Sequence, residues 1–316
     1  MTDLIEEGPL AADTALAGGP DDDRREGCRA GPGPELLGWW EATRRDLPWR
    51  RTRDPWAVLV SEVMLQQTQV DRVIPRWHRF LDRFPTTAAC ASGTVGAVVE
   101  EWAGLGYNRR AVSLHRCASA VTHDHAGAFP RTLDALLRLP GVGPYTARAV
   151  LAFAFAEDVA VVDTNVGRIL ARTAGRPLTG REAQVTADEL VPEGEGWAWN
   201  QAMLDLGATV CRKRGPVCGR CPVAATCAWS STGQPDPDPA VGSHAVSRAQ
   251  STFEGSFRQG RARLLDALRA GATLAPDEWP DACGGFEPSA AERAALGLVV
   301  DGLAVLGTDG RLRLPT

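Results

Sequence analysis

From Leu36 to about Ala228, apolar residues recur every three or four positions, the spacing of helices that each bury one face. The stretch "ELLGWWEATRRDL" opens the series and is expected to stop at Pro48, since proline cannot continue a helix. "PWAVLVSEVMLQQTQVDRVIPRWHRFLDRFP" predicts two helical segments divided near Gln67 to Pro75. "TVGAVVEEWAGLG", "NRRAVSLHRCASAVTHDH", "TLDALLRL", "YTARAVLAFAF", "TNVGRILARTAG", "REAQVTADELVP" and "GWAWNQAMLDLGATVC" continue the pattern. Gly and Pro punctuate these segments, and none alternates with the period of a strand. No internal repeat is visible. Residues 36–228 therefore predict an all-α bundle.

The pattern breaks at both ends. Residues 229–247, "WSSTGQPDPDPAVGSHAVS", are rich in Pro, Asp, Ser and Gly and predict a linker. Residues 248–316 then offer a basic amphipathic helix, "SFRQGRARLLDALRAG", a second helix, "SAAERAALGLVVDGL", and two short alternating runs around Asp309-Gly310. Helix, helix and hairpin predict a small α/β winged-helix-like module. Residues 1–35 lack periodicity and hold nine acids against three arginines, a net of −6, so they predict a disordered acidic tail. The whole chain carries −5, so the remainder is close to neutral at +1, and local basic patches are not excluded.

At 316 residues, 44% hydrophobic and 23% charged, the composition is that of a globular protein with a sizeable core. No apolar stretch approaches the roughly 18 residues of a spanning helix, and the N-terminus lacks a signal-peptide pattern. The expectation is a cytoplasmic protein without a membrane partner. Of the eight cysteines, Cys28, Cys90, Cys117 and Cys283 are scattered and read as inert thiols. Cys211, Cys218, Cys221 and Cys227 stand together as C-x6-C-x2-C-x5-C. Four thiolates within seventeen residues repel one another unless a cation or cluster neutralises them. The spacing alone leaves zinc and a 4Fe–4S cluster both open. Arg212, Lys213, Arg214 and Arg220 lie in the same loop, placed to meet phosphates.

Two charged residues sit where charge is costly. Asp163 lies in the near-apolar run Val159 to Leu170, and Glu62 lies in "VLVSEVML". The ordinary readings are a helix N-cap for Asp163 and a solvated helix glutamate for Glu62. The sharper reading is a catalytic pair, with Glu62 kept protonated by desolvation and Asp163 kept ionised at a helix N-terminus. Between them "LPGVGPYT" sets Gly141 and Gly143 around Val142 in a tight turn. A plain helix–helix turn is the bland alternative. Free N–H groups opening the following helix make an anion site.

These features together resemble the helix-hairpin-helix–GPD (HhH-GPD) superfamily of DNA glycosylases, and the cysteine spacing resembles that of its iron–sulfur members. Within it, "LPWR" (Leu47–Arg50), "SEVMLQQTQV" (Ser61–Val70), "GLGY" (Gly104–Tyr107), "LPGVGPYTA", "VDTNVGRILAR" and "NQAMLDLGATVC" are similar to the MutY family of adenine DNA glycosylases. The resemblance spans residues 36 to about 228. It implies a mostly α, two-lobed glycosylase fold with a 4Fe–4S cluster held by the four cysteines of the 211–227 loop. It implies excision of adenine mispaired with 8-oxoguanine, by a monomer acting on mismatch-containing double-stranded DNA at the nucleoid. In that likeness Glu62 is the acid that protonates N7 of adenine, and Asp163 stabilises the positive sugar. Tyr145 and Asn165 orient these acids. Trp49 and Arg50 wall the base pocket, and Gln67, Thr68, Leu105 and Tyr107 wedge the duplex open. Gly141, Val142 and Gly143 form the DNA-binding hairpin.

The chain departs from the family pattern in three places. Tyr145 stands where strand-cleaving relatives such as endonuclease III carry a lysine, so no Schiff base is expected there. Thymine-mismatch glycosylases share a tyrosine at this site, so thymine or uracil opposite guanine is the alternative substrate. A non-catalytic DNA-binding iron–sulfur protein is the third reading. The C-terminal segment is shorter than the nudix-like domain of many relatives and resembles the shortened actinobacterial type, with "GSH" at Gly242–His244 a faint echo of a lesion-reading element. Family members usually place a second aromatic after "GLGY", where this chain has Asn108.

Overall fold

A computed structural model describes residues 33–243 and 252–316. Residues 1–32 of the expected acidic tail, residues 244–247 of the expected linker, and with them His244, lie outside the described residues. Helix α1 (Pro34–Thr43) buries Leu36 and Trp40 and ends at Thr43, short of Pro48. Arg44 already has extended ψ, because Trp40 and Arg45 are both drawn to the Asp205 carboxylate. Helix α2 (Pro55–Leu65) starts cleanly, with Pro55 at its first position and Asp54 accepting the N–H groups of Trp56 and Ala57. Every residue from Trp56 to Met64 is buried, so α2 is a central helix apolar on all sides. That is why a charged residue on it is costly.

Helix α3 (Val70–Arg83) is the opposite case. Val73, Trp77 and Phe80 form its single buried stripe. It begins before Pro75 and runs through it, contrary to the expected break extending to that residue. One intrahelical bond is lost there, and burial of the stripe offsets it. Helices α4 (Thr87–Ser92) and α5 (Val95–Glu101) are capped by the hydroxyls of Thr86 and Thr94. With α6 (Arg109–Asp124), α7 (Leu133–Leu137) and α8 (Pro144–Ala154) they complete a first lobe in which α2 lies against α8.

The chain then crosses to α9 (Thr164–Ala174), α10 (Gly180–Leu190) and α11 (Gly196–Thr209). These pack with α1 around a separate core that includes Leu36, Trp40, Ile169, Leu170, Trp199, Met203 and Leu206. The active-site candidates Glu62, Tyr145 and Asp163 belong to α2, α8 and the N-cap of α9, at the seam of the two lobes. After α11 come two single 3₁₀ turns and the short α12 (Ala228–Ser231). Trp229 and Ala240 are buried, and Asp238 pairs with Arg172 of α9 at 2.6 Å. As far as Ser243, the stretch expected as a linker is therefore tied to the second lobe.

The C-terminal residues form α13 (Phe257–Arg269), α14 (Trp279–Ala282), α15 (Pro288–Val300) and an antiparallel pair, β1 (Val305–Leu306) with β2 (Leu312–Arg313). Leu274, between α13 and α14, bridges to Leu312 as a third strand position. Helix, strand, helix, helix and hairpin is the order of a small winged helix. Its core of Leu264, Leu265, Leu268, Ala294 and Leu298 is continuous with that of the first lobe. No helix among the described residues is long and apolar enough to cross a membrane.

The C-terminus is pinned to α5, where the Gly96 N–H donates to the Pro315 carbonyl at 3.0 Å. A Cβ at Gly96 would lie 2.4 Å from that oxygen. Gly96→Ala is expected to lower stability to urea by about 1–3 kcal/mol, the range for overpacking a tight contact. An unchanged midpoint would show that the terminus is not held there.

Candidate active site

Glu62 is on α2 and is 5% exposed. Burial, with the nearby charge of Asp163 adding to it, pushes its carboxyl up to about 7. The Tyr145 hydroxyl donates to Glu62 and the Arg50 guanidinium attracts its charge, and both oppose that rise. Burial also drives the Tyr145 phenol well above its usual range, so the tyrosine remains a neutral donor. Near neutral pH, Glu62 thus holds a transferable proton in a place closed to bulk water.

Asp163 is held differently. As N-cap of α9 its Oδ1 accepts from the backbone N–H of Asn165 at 2.8 Å and of Val166 at 2.7 Å. Its Oδ2 accepts from the Asn165 side-chain amide at 2.7 Å. Three donors at a helix N-terminus converge on this half-buried side chain. The buried Arg168 in turn grips the Asn165 amide oxygen at 2.9 Å, Gly207 O at 2.7 Å and Cys211 O at 2.8 Å. A Cβ on Gly207 would lie 2.6 Å from that of Asn165, so only glycine lets α11 approach this closely. The first cysteine of the quartet and the Asp163 carboxylate are thereby joined through two side chains.

Arg50 and Trp49 follow Pro48 in a 3₁₀ turn. Arg50 makes a two-pronged pair with the buried Asp205, 2.8 Å on each prong. Arg45 and Trp40 complete the shell around that carboxylate, and the Arg50 and Arg45 guanidiniums hold it below the usual range despite its burial. Trp49 is buried and packs edge-on against Trp77.

Gln67 and Thr68 form the turn after α2, and Leu105 and Tyr107 the loop after α5. Gln67 (φ 55°) and Tyr107 (φ 46°) both have left-handed backbone conformations, and Tyr107 is 47% exposed. Leu105 is buried. One guanidinium ties the two segments together. Arg110 donates to the carbonyls of Val63, Met64 and Gln66 and to the Thr68 hydroxyl on one side, and to the carbonyls of Leu105 and Gly106 on the other.

In the hairpin, Gly141 (φ 77°) brings its Cα against α6, where a Cβ would lie 2.6 Å from that of Ser113. Val142 is buried and its N–H is taken by Leu139 O. Gly143 is the N-cap of α8 and, lacking a side chain, offers no cap to the first N–H groups of that helix.

The four clustered cysteines line a single cavity with Ile169, Arg172 and Leu206. Arg172, fully buried, donates to Cys211 Sγ at 3.4 Å, and Cys227 Sγ contacts the Arg172 carbonyl at the same distance. Among the described residues no group of three or more Cys, His, Asp or Glu is arranged to hold a metal ion. Cys90 and Cys117 are buried thiols pushed up to about 12, as inert ones should be.

Arg110, Arg168, Asp205 and Gly207 escape a motif-based reading. The signal that singles out Asp163 also marks Asp205, a lone acid in the apolar "NQAMLDLGA", and Arg168, a lone base in "VGRIL". Chemically, a buried neutral carboxyl facing a fixed carboxylate can protonate a leaving group while stabilising the positive charge left behind.

A family model described as HhH-GPD superfamily base excision DNA repair protein matches residues 60–192. The chain is 42% identical to an adenine DNA glycosylase of Mycolicibacterium smegmatis over 285 residues, 89% of this chain and 94% of that protein. It is 41% identical to an adenine DNA glycosylase of Homo sapiens over 207 residues, 61% of this chain and 38% of the human one. Among solved structures, a thermostable thymine-DNA glycosylase aligns with a TM-score of 0.58 at 31% identity, covering 63% of this chain and 94% of that chain. Endonuclease III in a non-covalent DNA complex gives 0.56 at 23% identity, over 63% and 92%, a likeness of fold alone.

The raised Glu62 carboxyl carries a stability consequence of definite sign. The folded state prefers the protonated form, so wild-type stability falls as pH rises from the unfolded value of 4.5 through about 7. Glu62→Gln removes that penalty. At pH 8 the variant should be more stable than wild type by roughly 3 kcal/mol in urea, with the gap closing toward pH 5. A variant less stable at pH 8 would contradict the burial argument.

Proposed function

We propose the following function for this chain, which belongs to the adenine DNA glycosylase family of HhH-GPD base excision DNA repair proteins: as a monomer it removes adenine mispaired with 8-oxoguanine or guanine from double-stranded DNA, by hydrolysis of the N-glycosidic bond without strand cleavage. The observation that carries this reading is the buried Glu62, its carboxyl pushed up to about 7, near an Asp163 side chain anchored by three donors. An extruded adenine receives the Glu62 proton at N7, which makes the base a leaving group. The departing electrons leave an oxocarbenium-like sugar, and the Asp163 charge stabilises it before water adds. Tyr145 fixes the Glu62 carboxyl through its hydroxyl, and Asn165 fixes Asp163. No amine stands at Tyr145, so no imine forms with the sugar from this position.

Extrusion of a base costs a few kcal/mol of stacking. The segments at Gln67–Thr68 and Leu105–Tyr107, locked to each other by Arg110, serve as the wedge. The Gly141–Gly143 hairpin and the α8 N-terminus hold a phosphate, and Trp49 and Arg50 bound the base pocket.

Four thiols around one cavity, with Arg172 fully buried against Cys211, suit a 4Fe–4S cluster held by Cys211, Cys218, Cys221 and Cys227. When bound, the cluster supplies a rigid, redox-capable cross-link of the 211–227 loop. Arg212, Lys213, Arg214 and Arg220 on that loop face the DNA backbone.

The test is base release from duplexes carrying adenine opposite 8-oxoguanine, guanine or cytosine, and thymine or uracil opposite guanine. Adenine is expected from the first two and nothing from the last two. Thymine release without adenine would move the chain to the thymine-mismatch reading, and no release at all would refute both. Because Glu62 acts as an acid, single-turnover excision should fall as pH rises through about 7. Glu62→Gln should lose at least about 100-fold of the rate at pH 7. Purified protein should show a broad visible absorption band with bound iron and sulfide, and a colourless zinc protein would refute the cluster.

A further inference from the structure

The loop that presents Tyr107 joins α5 to α6, and the C-terminal module grips both of those helices. On the α5 side, Arg269 of α13 donates through Nε to Val99 O at 3.0 Å, and Pro315 O accepts from Gly96. On the α6 side, the same guanidinium donates through Nη2 to Asn108 Oδ1 at 2.8 Å. Asp301, just past α15, faces Arg109 at 3.4 Å and is itself held by Arg261. The Arg269 side chain is only 9% exposed. Tyr107, with φ 46°, sits directly before Asn108, in a conformation a non-glycine residue keeps only when its surroundings over-determine it.

We propose that the C-terminal module is a positioning device for this loop: Arg269 through Asn108, and Asp301 through Arg109, fix the backbone that presents Tyr107 to the mismatch. The proposal rests on the reading of Leu105–Tyr107 as a wedge. It gives Asn108, where the family's second aromatic is usual, a physical role as the acceptor for Arg269. It also accounts for the surface of α15, the helix a winged helix would offer to DNA. Its exposed residues are Pro288, Ser289, Glu292, Arg293, Leu296 and Val300, so Arg293 is the single base among them and is offset by Glu292, a poor match for phosphates. Arg261, on the basic helix, is committed to Asp301 and Gly297 O rather than to solvent.

The experiment compares full-length Asn108→Ala, Asn108→Asp, Arg269→Gln and the Asn108→Ala/Arg269→Gln double variant, with Tyr107→Ala as reference. Affinities for an adenine–8-oxoguanine duplex and a matched duplex are measured in the Glu62→Gln background, so that no base is lost. Single-turnover rates at saturating enzyme are measured without that change. A hydrogen bond to a charged group is worth about 10- to 150-fold in an equilibrium constant, and because this one lies within the protein only a part, about 5- to 20-fold, is expected to reach DNA affinity. Asn108→Ala is expected to lose that much on the mismatch and within about twofold on the matched duplex, with the saturating rate nearly unchanged. Asn108→Asp, which keeps the acceptor, should bind as wild type. Arg269→Gln, if folded, should add little to Asn108→Ala in the double variant. Asn108→Ala needs no buried change and tests the idea even if Arg269→Gln misfolds. Equal loss on both duplexes, additive losses, or wild-type mismatch affinity in Asn108→Ala while Tyr107→Ala is impaired would each overturn the proposal alone. If Tyr107→Ala also binds as wild type, the wedge reading fails and takes the proposal with it.

Discussion

Sealing the Glu62 carboxyl at the seam between two lobes is the constraint on which the rest depends. A helix apolar on every side carries it there, and a phenol, a guanidinium and a second carboxylate act on it. Keeping the proton costs less than keeping the charge in that position. The fold therefore carries a reduced stability at neutral pH, where that carboxyl begins to lose its proton. Asp163, a short way off, receives the opposite treatment from a helix N-terminus. Two residues of similar chemistry thus sit in different surroundings, one in an apolar helix and the other against fixed donors.

Around this pair, arginines do the mechanical work that the backbone cannot. Arg50 is locked to Asp205, so its charge enters the seam partly cancelled. Arg168 passes from Asn165 to the carbonyl of Cys211, and Arg172, one turn on, faces the Cys211 sulfur. The cysteine loop and the Asp163 carboxylate are therefore parts of one bonded network, and Gly207 is the small residue that lets the helices close over it. Arg110 plays the same part for the two exposed segments on the first lobe.

Much of this was legible before any coordinates. The 3.6-residue periodicity gave the longer helices but not the short α4, α12 and α14, the Asp309-Gly310 turn gave the hairpin, and a carboxylate in an apolar run singled out both Glu62 and Asp163. Boundaries were less legible. The end of α1 is set by Asp205, some 160 residues away in sequence, and α3 tolerates Pro75 because its buried stripe outweighs one missing bond. The stretch after Cys227 has the composition of a linker, yet Asp238 finds Arg172 and stays. Arg110, Arg269 and Asn108 could not be read from local pattern, since each acts only through partners brought together by the tertiary fold.

The most direct measurement of the central claim is an infrared difference titration of the wild-type protein against Glu62→Gln. The account requires a protonated-carboxyl band that belongs to Glu62 and vanishes with a midpoint near pH 7. A band that disappears between pH 4 and 5, as for a solvated glutamate, would contradict it and leave the seam without its acid.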